Sequence, residues 1–419
     1  MTFPDRFLWG ASTAGHQVEG GNVNADLWPL EWAQGSLFTE PSGDACDHYH
    51  RYPEDIGIMA DLGFNAYRFS LEWARIEPEE GYFSRAALDH YRRMAAACWE
   101  RDITPIVTYC HVTTPRWFAG AGGWVADQAA ARFARYVERA SRHLGDLLPW
   151  VATLNEPNAI TMLELTGVIP MGVSDGNLLA PQSSDAGAVV GVGGHDASRY
   201  RMGLIGSNVE VMSEIHRAAK DAIKSGPGES KVGWTLALVD LQSAEGGEDR
   251  LERARQGAQL DWLDVSRDDD WVGVQTYSRN ILGENGPVPL PEEAPRMQTG
   301  WEVYPASLEH TVRLAAGHAQ VPVMVTENGM ATGDDDARIA YTQAALGGLA
   351  RCVEDGIDVR GYLHWTLLDN FEWMAGFAKT FGLIAFDPTT FERQVKDSAR
   401  WLGEVARTNG AALSLSQEH

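Results

Sequence analysis

Trp150-Val-Ala-Thr-Leu-Asn-Glu-Pro (150–157) is a short apolar run that ends abruptly in an amide, a carboxylate and a proline. Such a run, bounded by polar and turn-forming residues, predicts a strand covered on both faces, as in a parallel sheet. Outward from it the pattern recurs at Phe7 to Ser12, Ala66 to Ser70, Thr104 to Tyr109, Val232 to Ala237, Trp271 to Gln275, Val321 to Thr326 and Val359 to Trp365. Between these runs lie helical patterns such as Arg85 to Arg101, Ala129 to Leu144, Val209 to Ile223 and Arg338 to Asp355. Strands alternating with helices predict an α/β fold, and eight of them predict closure into a single-domain (β/α)8 TIM barrel over residues 1–419. In such a barrel the working face lies at the C-terminal ends of the strands.

Two stretches interrupt the alternation: Gly167 to His195, rich in Gly, Ser, Asp and Pro, and the Pro- and Glu-rich Gly283 to Thr299. Both are expected as long loops at the barrel mouth, since loops of this length are usually functional or mobile. The tail from 410 to 419 is expected to fray.

With 34 Lys and Arg against 58 Asp and Glu, the chain carries a net charge of −24, which argues against nucleic acid or an anionic membrane as a partner. Cys46, Cys98, Cys110 and Cys352 show neither Cys-x-x-Cys spacing nor an adjoining His pattern, so neither a zinc site nor a disulfide framework is expected, and no metal or organic cofactor is implied, since the carboxyl pair Glu156 and Glu327 suffices for the chemistry. The start, Met1-Thr-Phe-Pro-Asp-Arg-Phe-Leu-Trp-Gly, lacks a basic segment followed by an apolar one, and the expectation is a soluble cytoplasmic protein.

If the barrel closes, the residues at and just past the strand ends converge on one face. They are Gln17, Arg68, His111, Asn155 with Glu156, Tyr277, Glu327, Trp365, and Glu372 with Trp373. Polar side chains are costly in a core unless paired, so their recurrence at strand ends points to a polar pocket for a neutral, hydroxyl-rich ligand. Glu156 and Glu327 each follow an apolar run, and a pair of carboxyl groups across the scissile bond is what glycoside hydrolysis requires.

Several segments, in order along the chain, carry a family resemblance: Phe7-Leu-Trp-Gly-Ala-Ser-Thr, Gln17-Val-Glu-Gly, Cys46-Asp-His-Tyr-His-Arg-Tyr, Tyr67-Arg-Phe-Ser, Thr153-Leu-Asn-Glu-Pro, Gly300-Trp-Glu-Val-Tyr-Pro, Thr326-Glu-Asn-Gly and His364-Trp-Thr-Leu-Leu-Asp-Asn-Phe-Glu-Trp. The chain resembles glycoside hydrolase family 1, the retaining β-glycosidases of β-glucosidase type. The resemblance implies Glu327 as nucleophile and Glu156 as general acid/base, with Arg68 and Tyr277 keeping Glu327 charged and Asn155 holding the sugar 2-hydroxyl. It further implies that Gln17, His111, Glu372 and Trp373 grip the other hydroxyls, that Trp365 lies under the ring, that Phe381 lines the same pocket and that Trp301 lines the aglycone side. The implied substrate is a small neutral β-glycoside. A carboxylate at Glu372 would repel a phosphate, which argues against 6-phospho sugars.

The unequal surroundings of the two glutamates imply retention, with the carboxyls roughly 5 Å apart rather than the about 7 Å or more of an inverting pair. Two other readings use the same residues: a transglycosylase, with an acceptor sugar or alcohol in place of water, and a catalytically silent sugar-binding barrel. Departures from the family pattern are Val112 after His111, where a Trp is usual, and Gln275-Thr276-Tyr277, where Asn-Tyr-Tyr is common. Glu72 is an additional acid near the mouth, expected to pair with an arginine unless it serves the site. The sugar preference, the natural aglycone and the oligomeric state are left open by the residues.

Overall fold

The computed structural model describes residues 2–168 and 208–415. Eight strands form a closed parallel barrel: β1 (Leu8–Ser12), β2 (Ala66–Ser70), β3 (Thr104–Cys110), β4 (Trp150–Asn155), β5 (Lys231–Ala237), β6 (Val272–Gln275), β7 (Val323–Asn328) and β8 (Val359–Trp365). Each pairs with its chain neighbours, and β1 closes on β8 with Leu8 opposite Gly361 and Ser12 opposite Trp365. The α/β barrel expected from the strand periodicity is therefore the fold observed.

Alternation along each strand builds two environments. Outward residues such as Tyr67, Phe69, Val107, Val151 and Tyr362 join the main core shared with the surrounding helices. Inward, Ala66, Ile106, Ala152, Trp271, Met324 and Leu363 form an apolar layer inside the barrel. Above that layer the inward positions turn polar, with Arg68, Thr108, Asn155, Thr235, Gln275 and Glu327 all buried. Burial on both faces is why these strands read as continuous apolar runs until they reach the polar layer.

The main adjustment to the expected strands is at β7, which starts at Val323 rather than Val321 and continues through Asn328. Pro322 has no N–H to give the ladder, and the first such bond is Val323 N–H to the Asp358 carbonyl at 2.9 Å. The helix expected from Arg338 begins at Asp335, because Asp334 caps it by accepting from the N–H groups of Asp336 and Ala337.

The stretch expected as a loop from Gly283 opens with a hairpin, in which Arg279–Gly283 pairs antiparallel with Gly286–Pro287 and parallel with Asp240–Ser243. Most of the first expected loop, 167–195, lies outside the described residues. The tail is ordered further than expected: Ala412–Leu415 is helical and Leu413 is buried in the main core. No helix among the described residues is long and apolar enough to cross a membrane.

Candidate active site

Arg68 organises the polar layer from its centre. Its guanidinium is fully buried and donates Nε to Thr108 Oγ1 (3.1 Å), Nη1 to Glu327 Oε1 (2.7 Å) and Nη2 to Asn155 Oδ1 (2.6 Å). A buried charge is tolerated when it is paired and its donors are satisfied, and Arg68 meets both conditions. Gln275 Nε2 bridges the same two acceptors, at 2.9 Å from Asn155 Oδ1 and 2.7 Å from Glu327 Oε1. Thr235 Oγ1 adds a third donor to Asn155 Oδ1 at 3.1 Å, which orients the amide and leaves its Nδ2 group for a ligand. Tyr277 donates to the other oxygen of Glu327, Oε2, at 2.6 Å.

Both carboxylate-bearing strands are irregular where the acids emerge. The register of β7 against β6 shifts between Val325 and Glu327, and that of β4 against β5 shifts between Ala152 and Asn155. Such a bulge re-aims the side chains that follow it. At the end of β7, Gly329 passes so close to β8 that a Cβ there would lie 2.0 Å from the Trp365 carbonyl oxygen. Only glycine fits there, directly after Glu327-Asn328.

Glu156 is half-buried one residue past β4, in the left-handed region at φ 46°, with its N–H bonded to the Thr235 carbonyl at 2.8 Å. Val112 (φ 68°) and Trp373 (φ 48°) share that uncommon conformation, so three such residues cluster at this face. Burial, then the negative charge of Glu327, pushes the Glu156 carboxyl up to about 8. Burial also raises Glu327 from the ordinary carboxylate range, opposed by the Arg68 charge and by the hydrogen bonds from Tyr277 and Arg68. Arg68 and Tyr277 thus temper the effect of burial on Glu327 rather than overcome it. Glu372 is lifted to about 8 by burial and by Glu327.

The remaining expected residues form the walls. Gln17 Nε2 donates to the Phe371 carbonyl at 2.8 Å and lies 3.3 Å from Glu372 Oε2. His111 stacks between Trp365 (5.7 Å between ring centres, 14°) and Trp373 (6.3 Å, 21°). Gln17 Oε1 and His111 Nδ1 are buried without a hydrogen-bond partner among the described residues, which suits groups kept for a ligand. Phe381 packs edge-on to Tyr277 at 5.7 Å and joins Trp365 in a small apolar cluster. Trp301, 44% exposed, leans on the outer side of Tyr277 at 5.6 Å.

Gln275 is the main residue the motifs underrate: it touches Glu327 directly rather than standing behind it. Thr108 and Thr235 carry no motif, and only their inward register could have pointed to them. Glu72 is corrected in the other direction. Its carboxylate accepts from the His16 N–H (3.1 Å), Asn22 Nδ2 (2.7 Å) and Thr113 Oγ1 (2.8 Å), while the neighbouring Arg75 pairs with Glu19 at 2.8 Å. The turn after β2 buries Glu72 among neutral donors and turns it away from the arginine. Among the described residues, no group of three or more His, Cys, Asp or Glu side chains is placed to hold a metal ion.

Residues 1–183 and 266–411 match the family described as Glycosyl hydrolase family 1. The chain is 30% identical to β-glucosidase A of Acetivibrio thermocellus, covering 98% of this chain and 99% of the relative, and 31% identical to β-glucosidase A of Thermotoga maritima, covering 97% and 98%. Among solved structures, β-glycosidase BGL167 superposes with a TM-score of 0.91 at 50% identity over 97% of each chain. A β-glycosidase from Pyrococcus horikoshii does so with a TM-score of 0.82 at 31% identity, over 97% of this chain and 95% of the other.

Proposed function

Because the chain belongs to glycosyl hydrolase family 1, we propose that it is a retaining exo-β-glycosidase that releases terminal β-D-glucosyl or closely related residues from small neutral glycosides. The observation that carries this reading is the unequal pair. Glu327 receives Arg68, Gln275 and Tyr277 on its two oxygens, whereas Glu156 is pushed up to about 8, drawn down among the described residues by the Arg68 charge alone. A nucleophile must be ionised and a general acid protonated, and this division of surroundings supports Glu327 in the first role and Glu156 in the second.

In the first step Glu327 attacks the anomeric carbon while Glu156 gives its proton to the departing oxygen, forming a glycosyl ester. In the second, Glu156 takes a proton from water, the water oxygen attacks the anomeric carbon, and Glu327 leaves as carboxylate. Asn155 Nδ2 is the donor assigned to the sugar 2-hydroxyl, because Oδ1 is held by three protein donors. Gln17, His111, Glu372 and Trp373 hold the other hydroxyls, Trp365 and Phe381 face the ring, and Trp301 lines the aglycone side. The relatives named β-glucosidase support glucose as the sugar. Four buried, unpaired cysteines support a reducing cytoplasm as its place of work.

Turnover of an aryl β-D-glucoside tests the activity; no turnover on the glucoside, galactoside, fucoside, xyloside or mannoside would sink it. Glu327→Gly should lose hydrolysis and regain turnover with azide, yielding the α-glycosyl azide. Glu156→Ala should keep activity on substrates with good leaving groups. Product analysis at high acceptor concentration separates hydrolysis from transglycosylation.

A further inference from the structure

His16 lies next to Gln17 yet has no part in the two-carboxylate chemistry. It is 1% exposed, and both ring nitrogens are engaged: Nε2 with Glu31 Oε1 at 2.6 Å and Nδ1 with Asn22 Nδ2 at 3.1 Å. Glu31 is anchored in turn by the Ser42 N–H (2.8 Å) and Ser42 Oγ (2.6 Å) on Glu31 Oε2. With both edges tied, the imidazole cannot rotate without breaking buried hydrogen bonds. Its face is parallel to the Trp373 indole, 6.0 Å between centres and 7° between planes. Its edge meets Phe371 at 6.1 Å and 66°. Trp373 consequently makes near-parallel ring contacts with two histidines, His16 at 6.0 Å and His111 at 6.3 Å, and His111 in turn stacks with Trp365.

Trp373 sits at φ 48° at the start of the short turn Trp373–Ala375, which is closed by the Gly376 N–H on the Trp373 carbonyl at 3.0 Å, and it packs beside the buried cluster of Leu27, Leu30, Phe38 and Phe371, so His16 adds a ring contact to an indole that is already partly held.

We propose that His16 is a positioning residue for sugar binding: clamped by Glu31 and Asn22, it stacks on Trp373 and helps to fix the indole against the glycone. This rests on the assignment of Trp373 to the glycone pocket. Stacked aromatic pairs contribute enough beyond their buried area to change affinity by about 2- to 13-fold.

The test is a double-mutant cycle on a dinitrophenyl β-D-glucoside, which keeps weak variants measurable, with glucose as a competitive inhibitor and thermal unfolding followed for each variant. His16→Leu should lower kcat/KM by about 3- to 10-fold, mainly through KM, and weaken glucose inhibition by a similar factor. In the Trp373→Ala background the same substitution should have no further effect. His16→Phe with Glu31→Gln, which restores a ring and avoids an unpaired buried carboxylate, should recover most of the loss and serves also if His16→Leu fails to fold. Equal losses in both backgrounds, or no recovery with the ring restored, would overturn the proposal. No change in KM or glucose inhibition on Trp373→Ala would instead overturn the glycone assignment of Trp373.

Discussion

Arg68 and Glu327 meet inside the barrel, Nη1 to Oε1 at 2.7 Å, across 259 positions of sequence. The pair lies between β2 and β7, on opposite sides of the closure at β1 and β8, and neither side chain would be tolerated there alone. Breaking such a buried pair by removing one partner typically costs about 3–5 kcal/mol. Arg68→Met should lose about that much in urea unfolding. Because the guanidinium pulls the Glu327 carboxyl down against burial, its loss should raise that carboxyl further. An ionised nucleophile would then be lost at higher pH, and the acid limb of the kcat/KM profile should move upward.

The basic limb should fall near pH 8, where Glu156 releases its proton. The group's value is raised, so the protonated, acid-competent form dominates below about 8 and is depleted above it. Glu372 is raised to a similar place, which makes it the rival source of the limb. On a dinitrophenyl glucoside, Glu156→Gln should abolish the basic limb, and Glu372→Gln should weaken binding while leaving the limb. A limb that survives Glu156→Gln would remove Glu156 from the acid role.

The link between the two carboxylates also sets a prediction. The negative charge of Glu327 adds to the upward push that burial gives Glu156, so neutralising it should bring Glu156 down. Carbon-13 titration of Glu156 in Glu327→Gln should give a lower value than in the unmodified protein, and an unchanged or higher value would contradict the electrostatic coupling.

Gln275 holds Asn155 Oδ1 and Glu327 Oε1 with a single amide nitrogen. A hydrogen bond to a charged group contributes roughly 1.5–3 kcal/mol. Gln275→Leu should therefore reduce kcat/KM by roughly 10- to 150-fold. Gln275→Asn tests reach: a side chain one methylene shorter should recover only part of the loss.

Gly329→Ala places a methyl 2.0 Å from the Trp365 carbonyl oxygen. The ends of β7 and β8 must then separate, at a cost of about 1–3 kcal/mol for overpacking. Both a lower unfolding midpoint and a fall in kcat are expected, because Glu327 and Trp365 sit on the two strands forced apart.

Eight strands and the acids that follow them were legible because strand periodicity and burial are local properties, written in runs of five to seven residues such as Ala66–Ser70 and Val359–Trp365. Boundaries slipped where one local group outweighed the pattern, as at Pro322 and at the Asp334 cap. Thr108 and Thr235 could not be seen as site residues, since a threonine inside a strand looks the same whether it packs outward or donates inward.

By itself the sequence determined the alternation of strands and helices, the polar residues at the strand ends and the two glutamates among them. Tertiary structure alone decided which of these touch. Barrel closure carried Arg68 to Glu327, the register shift in β7 brought Gln275 onto the same carboxylate oxygen, and burial among neutral donors turned Glu72 away from Arg75. It also stacked His16 on Trp373, 357 positions apart by their numbering. Propensity and periodicity act over a few residues, whereas a hydrogen bond or ring stack depends on where closure of the whole sheet delivers each side chain.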